Sequence, residues 1–127
     1  MVFSKLPSSY YPLGKYFNAL RKYSLRNILP IGRGSKIQSN VYFGNGENIQ
    51  IGSNCQLNEN VKLNNVKIGD HVMIAPGVTV LGRMHKYSRT DIPMIVQGNR
   101  ETKQTVIKDD VWIGTNAIIM PGIKISE

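Results

Sequence analysis

With 127 residues and a formal charge of +8, the chain is the size of one basic domain. No apolar run approaches the roughly 18 residues of a membrane-spanning helix, and a single cysteine, Cys55, excludes an internal disulfide and fits a reducing compartment such as the cytoplasm. The charge suits a soluble basic surface, an anionic ligand or an anionic membrane face, whereas the aromatics do not interleave with basic residues as a nucleic-acid stacking platform requires, so no nucleic-acid partner is expected.

Residues 1–30 form the first unit. Lys5, Pro7, Pro12 and Lys15 break up any signal-peptide core. From 10 to 28 the apolar residues Tyr11, Leu13, Tyr16, Phe17, Leu20, Tyr23, Leu25 and Ile28 alternate with Lys15, Arg21, Lys22 and Arg26. That spacing predicts a short amphipathic helix with a basic face. Two roles fit it, and they are compatible. It would cap the open end of the domain that follows, covering an edge prone to aggregation. It would also lie on anionic lipid, a peripheral contact at the inner face of the membrane.

From Ile31 an aliphatic or aromatic residue recurs every six positions. The series runs Ile31, Ile37, Phe43, then, after a two-residue offset, Ile51, Leu57, Leu63, and after one shortened repeat Ile68, Ile74, Val80. It stops, then returns at Ile107, Ile113, Ile119 and Ile125. Three residues after the marked positions stand Gly34, Asn40, Gly46, Asn54, Asn60, His71, Gly77, Asp110, Asn116 and Gly122, nearly all types that tolerate positive φ. One residue further the side chain is small or β-branched at Ser35, Val41, Cys55, Val61, Val72, Val78, Val111 and Ala117; Glu47 and Ile123 depart from this. A two-layer β-sandwich predicts period-two alternation and turns every 8–12 residues, which the chain lacks. The beat predicts an all-β domain over 31–127, a parallel β-helix of about four coils in which each six-residue unit is one short strand and one corner. The period does not fix the hand of the winding.

The beat is interrupted by one long extruded loop, 81–105. A loop of this length inside a tight repeat points to function, and it holds His85, one of two histidines. The other, His71, sits at a corner position and reads as structural. Cys55 sits at an inward small position and reads as core rather than nucleophile. Two histidines do not supply a three-histidine metal site, so no metal is expected.

Ile74-Ala75-Pro76-Gly77-Val78, then His85, Asp91, Pro93, Gln97-Gly98, Val111-Trp112-Ile113-Gly114 and Pro121-Gly122-Ile123 together resemble the sugar and polysaccharide O-acetyltransferase branch of the hexapeptide-repeat acyltransferases. Maltose, galactoside and capsular acetyltransferases belong to that branch, and the resemblance covers about 31–127. It implies a left-handed winding, acetyl-CoA as donor, a saccharide acceptor and a homotrimer with sites between adjacent prisms. It also implies that His85 is the general base that takes the acceptor's hydroxyl proton, and an imidazole is suited to this near neutral pH. Asn58, Arg83 and Asp91 are then expected at the acceptor, and Trp112, Gly114 and Asn116 at the cofactor. Read on their own terms, Asn58 is equally a polar corner residue, Trp112 could merely pack on a neighbouring subunit, and Arg83, Lys86 and Arg89 read more readily as solvated cations than as contacts to anionic CoA or an acidic sugar. Relatives of this kind continue through further coils beyond the position of Glu127, so a truncated C-terminus and a weakened CoA site are expected. Two other readings stay open: N-acylation of an amino sugar or other small acceptor, and a truncated, non-catalytic relative.

Overall fold

The computed structural model describes residues 5–126. Its single α-helix among those residues, α1 (Gly14–Arg26), precedes ten short strands. The six-residue beat becomes three parallel ladders. The first stacks β1 (Lys36–Ile37), β3 (Gln56–Leu57), β5 (Met73–Ile74) and β8 (Trp112–Ile113) in that order. The second stacks β2 (Ile49–Ile51), β4 (Val66–Ile68), β7 (Thr105–Ile107) and β10 (Lys124–Ile125). The third pairs β6 (Thr79–Val80) with β9 (Ile118–Ile119) and is extended by single bridges from Tyr42 to Lys62 and from Lys62 to Thr79. Each pass of the chain thus gives one rung to each ladder, and rungs lie about 4.8 Å apart.

The register explains the beat. Ile37, Leu57, Ile74 and Ile113 are directly aligned, as are Ile51, Ile68, Ile107 and Ile125. The marked residues are buried, except that Ile31 and Ile125 at the two ends are only partly covered. The small partners Ser35, Val41, Cys55, Val61, Val72, Val78 and Val111 are buried beside them. Each fully buried Ile, Leu or Val contributes about 1.5–3 kcal/mol, and none can be covered within a single pass, so stability comes from stacking.

The corners end the strands. Gly34, Asn40, Gly46, Asn54, Asn60, His71, Gly77, Asp110, Asn116 and Gly122 all have φ between 55° and 80°. His71 therefore holds a corner, as its place in the beat requires. A further device joins the corners. The side-chain oxygens of Asn54, Asn64, Asp70, Asp109 and Asn116 lie over Gly34, Gly44, Gly52, Gly69 and Gly77 in the pass before, in the space a β-carbon would take. Asp70 and Asp109 also accept hydrogen bonds from the backbone N–H of Ser53 and Asp70, each at 2.7 Å.

α1 is shorter than the 10–28 expected from the sequence. Leu13 adopts a left-handed conformation at its start, and Pro30 disfavours helix just beyond its end. It lies over the free edge of β1. The Ile37 N–H donates to Asn18 Oδ1 at 2.9 Å, and Arg21 Nη1 donates to the Ile37 carbonyl at 3.1 Å. Arg21 does not belong to a solvated basic face: it is buried, and its Nη2 also donates to the carbonyls of Leu6 and Pro7. Burial lowers its pKa, with Glu59 opposing that shift. Among the described residues no helix is long and apolar enough to cross a membrane.

Candidate functional site

The residues singled out in the sequence fall into two groups, one on the first ladder and one on the loop. On the ladder, Trp112 follows Gln56 and Met73 in one outward column. Its indole is 72% exposed, an unusual state for the chain's one tryptophan. Asn58 and Gly114 each stand just past the end of a strand in that ladder, two rungs apart, or about 10 Å. Asn58 is firmly held: its Nδ2 donates to the Ile74 carbonyl at 2.9 Å, and its Oδ1 accepts from Gln56 Nε2 at 3.0 Å and Tyr10 OH at 3.3 Å. Gly114 is the reverse case. Nothing lies within 4 Å of where its β-carbon would be, so the backbone there is open to close approach. Asn116 turns its oxygen to the corner over Gly77, which leaves its amide nitrogen for any ligand.

The loop leaves β6, carries one short 3-10 helix at Met94–Val96, and reaches β7 at the buried Thr105, one residue inside the expected span. Its two limbs form a narrow antiparallel ribbon. The N–H of Lys86 donates to the Gly98 carbonyl at 2.9 Å, and that of Arg100 to the Met84 carbonyl at 2.7 Å. His85 and Asn99 face each other between these bonds. Opposed residues at such a non-hydrogen-bonded pair bring their side chains close together. Thr102 Oγ1 ties the ribbon's base to the Gly82 carbonyl at 3.0 Å, and Gln104 Nε2 anchors the return to the Asn48 carbonyl at 2.8 Å.

Farther out, the Gln97 side chain holds the loop together. Its Nε2 donates to the carbonyls of Arg89 and Ile92 at 2.9 and 3.1 Å, and its Oε1 accepts from the Arg89 N–H at 3.3 Å. Asp91 pairs with Arg89, whose Nε lies 3.0 Å from Oδ1. That pairing lowers the Asp91 pKa and raises that of Arg89, both at the open surface. Arg83 and His85 are exposed. Among the described residues no hydrogen bond joins Arg83, His85 or Asp91 to Asn58, Trp112, Gly114 or Asn116. The structure brings the ladder group together and fixes the base of the loop, but it does not join the two groups within one chain. Sequence reasoning missed Asn99 and Tyr10. Pairing across a ribbon of unknown register would reveal the first, and no sequence signal links Tyr10 to Asn58.

Among the described residues no group of three or more His, Cys, Asp or Glu side chains is placed to hold a metal ion. Cys55 is buried, its thiol donating to the Gly69 carbonyl at 3.0 Å, and desolvation pushes its pKa up. This leaves it in the core and away from both groups.

Residues 48–82 match the family described as bacterial transferase hexapeptide (six repeats). The chain is 33% identical over 100 residues to galactoside O-acetyltransferase of Escherichia coli, covering 76% of this chain and 48% of that protein. It is 31% identical over 102 residues to galactoside O-acetyltransferase of Lactococcus lactis, with 76% and 47% covered. The chain thus spans about half the length of the curated relatives it matches. Two solved structures share the fold at 21% identity, covering 84% of this chain and 72% of theirs. Both are mutants of AntD, an N-acyltransferase from Bacillus cereus. One is in complex with dTDP and coenzyme A, at a TM-score of 0.58, and the other with dTDP-4-amino-4,6-dideoxyglucose and coenzyme A, at 0.54. The repeat that builds the ladders thus matches the bacterial transferase hexapeptide family over 48–82, and three quarters of the chain is similar to galactoside O-acetyltransferases.

Proposed function

We propose that this protein transfers an acetyl group from acetyl-CoA to a saccharide hydroxyl, with His85 as general base. The observation that carries this reading is the similarity to two galactoside O-acetyltransferases across three quarters of the chain. In this reading the ladders form a left-handed β-helix of four coils, and α1 is its cap. The acetyl group arrives activated as a thioester. His85 takes the proton of the acceptor hydroxyl as its oxygen attacks the thioester carbonyl. As the carbon–sulfur bond breaks, the departing CoA thiolate takes that proton from His85, and the ester is left on the sugar. Asn58, already oriented by Ile74 and Gln56, presents its amide to the acceptor, and Arg83 and Asp91 border it from the loop. Trp112 and the open backbone at Gly114 fit a narrow pantetheine arm, with Asn116 contributing its amide nitrogen.

The separation of loop and ladder groups within one chain supports a homotrimer in which His85 of one copy meets the ladder of the next. Exposed apolar side chains at Met73, Trp112, Ile118 and Ile95 are surfaces a neighbouring copy would cover.

The test is acetyl-CoA turnover against galactosides, other saccharides and amino sugars, for wild type and His85→Ala, with sedimentation to read the oligomer. A loss of about 10²–10⁴ in turnover on removing the imidazole is expected. Turnover on amines alone would reassign the reaction to N-acylation. Equal, negligible turnover by both proteins would refute catalysis, and an active monomer would refute the shared site.

A further inference from the structure

α1 carries three stripes. Gly14, Arg21 and Leu25 face the protein. Tyr16, Leu20 and Tyr23 follow one another at helical spacing on the opposite side, with Leu13 just before the helix, and all four are exposed. Lys15, Lys22 and Arg26 form a third stripe between these two. Beside it a groove of about 540 Å³ opens between the helix and the start of the first pass, lined by Ala19, Lys22, Tyr23, Arg26, Ile31 and Arg33 together with Gly32 and Gly34. Three cations line it and no carboxylate does. The salt bridge found among the described residues is Arg89 with Asp91, far along the chain in the loop, so these three cations have no acidic partner there.

We propose that this end of the molecule seats on an anionic phospholipid surface, a lipid phosphate held in the groove by Lys22, Arg26 and Arg33 while Tyr16, Leu20 and Tyr23 enter the interfacial layer. The inference is independent of acetyl transfer. Charge selects the occupant. A second copy of a chain with net charge +8 would bring like charges to this face, whereas an anionic leaflet supplies the missing partners. The side chains agree, since tyrosine and leucine beside lysine and arginine is the composition of an interfacial helix. The placement agrees too. α1 lies on the free edge of β1, the first rung of its ladder, and β8 with Trp112 is the fourth. Docking by the helix therefore leaves the Trp112 face clear.

Flotation of the full chain with vesicles tests this, using phosphatidylcholine alone and phosphatidylcholine with about a third phosphatidylglycerol, a density of anionic lipid that gives the surface potential on which basic segments act. Wild type is expected to float only with the anionic vesicles. Each juxtamembrane cation contributes about fivefold to partitioning, so Lys22→Gln/Arg33→Gln should weaken binding roughly 25-fold, and Leu20→Glu should weaken it as well. Lys124→Gln, an exposed cation on β10, should leave binding within twofold, since it stands four rungs from Ile31, about 19 Å, beyond the range over which the surface field acts. Failure of wild type to float with anionic vesicles, or equal flotation with neutral ones, overturns the proposal. So does a Lys124→Gln loss per charge equal to that at the groove, which would mark diffuse attraction. A Leu20→Glu protein that binds vesicles normally but changes its oligomeric state would reassign the stripe to a contact between copies.

Discussion

Gly77→Ala tests whether the corner stacking holds the passes together. Gly77 has φ +74°, and a β-carbon there would overlap Asn116 Oδ1 in the following pass. The left-handed conformation costs a residue with a β-carbon about 1–2 kcal/mol. Displacing the Asn116 oxygen forfeits a weak Cα–H contact worth about 0.5–1 kcal/mol. Alanine's smaller unfolded-state entropy returns about 0.4–1 kcal/mol. The net expectation is a loss of about 1–2 kcal/mol, of which the overlap is the part that Asn116→Gly can relieve. In urea unfolding at fixed protein concentration, the double variant should therefore be more stable than the sum of the two single effects by about 0.5–1 kcal/mol. Strict additivity, or a Gly77→Ala protein within about 0.5 kcal/mol of wild type, would refute the stacking argument. It would also free the Asn116 oxygen for the cofactor.

Three other perturbations probe separate parts of the molecule. Arg21→Ala removes the donor to the carbonyls of Ile37, Leu6 and Pro7 and should cost about 3 kcal/mol in denaturant unfolding, whereas Lys15→Ala on the exposed stripe should stay within about 0.5 kcal/mol; equal effects would mean that the edge of β1 needs no partner. Burial raises the Cys55 pKa above its ordinary value of 9.0, so the stability this thiol contributes is present below that pH and is lost as pH climbs through the folded value. Wild type should therefore lose more stability than Cys55→Ala between pH 8 and pH 10.5, about the span over which a raised thiol titrates, and parallel curves would contradict the burial. Gln97→Ala removes the strut between Arg89 and Ile92 and should speed trypsin cleavage in the loop severalfold while the melting temperature holds, with an unchanged cleavage rate arguing against the strut.

The ladders were legible because their geometry acts locally: every pass must turn at fixed intervals, and only a few residue types turn at positive φ without strain. Even His71 obeys, with φ 58°. The corner stacking was legible too, had glycines been compared with residues one pass later: Gly52 with Asp70, Gly34 with Asn54, and, across the loop, Gly77 with Asn116. The loop offers no such handle. Its form depends on one ribbon pairing, His85 with Asn99, and on the Gln97 side chain bridging backbone groups that hydrophobic pattern does not encode. The residues of the candidate site were nameable by resemblance, and the break in the beat already set Arg83, His85 and Asp91 apart from the ladder residues; how the loop then lies against the ladder depends on its own fold, which no local pattern encodes.

The helix shows why pattern alone misassigned a face. α1 has an apolar stripe, Tyr16, Leu20 and Tyr23, that hydrophobicity would bury, and a mixed stripe holding Gly14, Asn18, Arg21 and Leu25 that it would not. The molecule buries the second. The free edge of β1 offers one donor and one acceptor at Ile37, and an unpaired polar group under a helix costs about 1–3 kcal/mol. Asn18 satisfies the donor and Arg21 the acceptor, while a surface of Leu and Tyr would satisfy at best one through a phenol. Gly14 then lets the chain close on Ser9, whose backbone any β-carbon there would overlap. Hydrogen-bond demand at a strand edge decided which face turned inward, and the apolar stripe was left outside, available for a surface that carries no such demand.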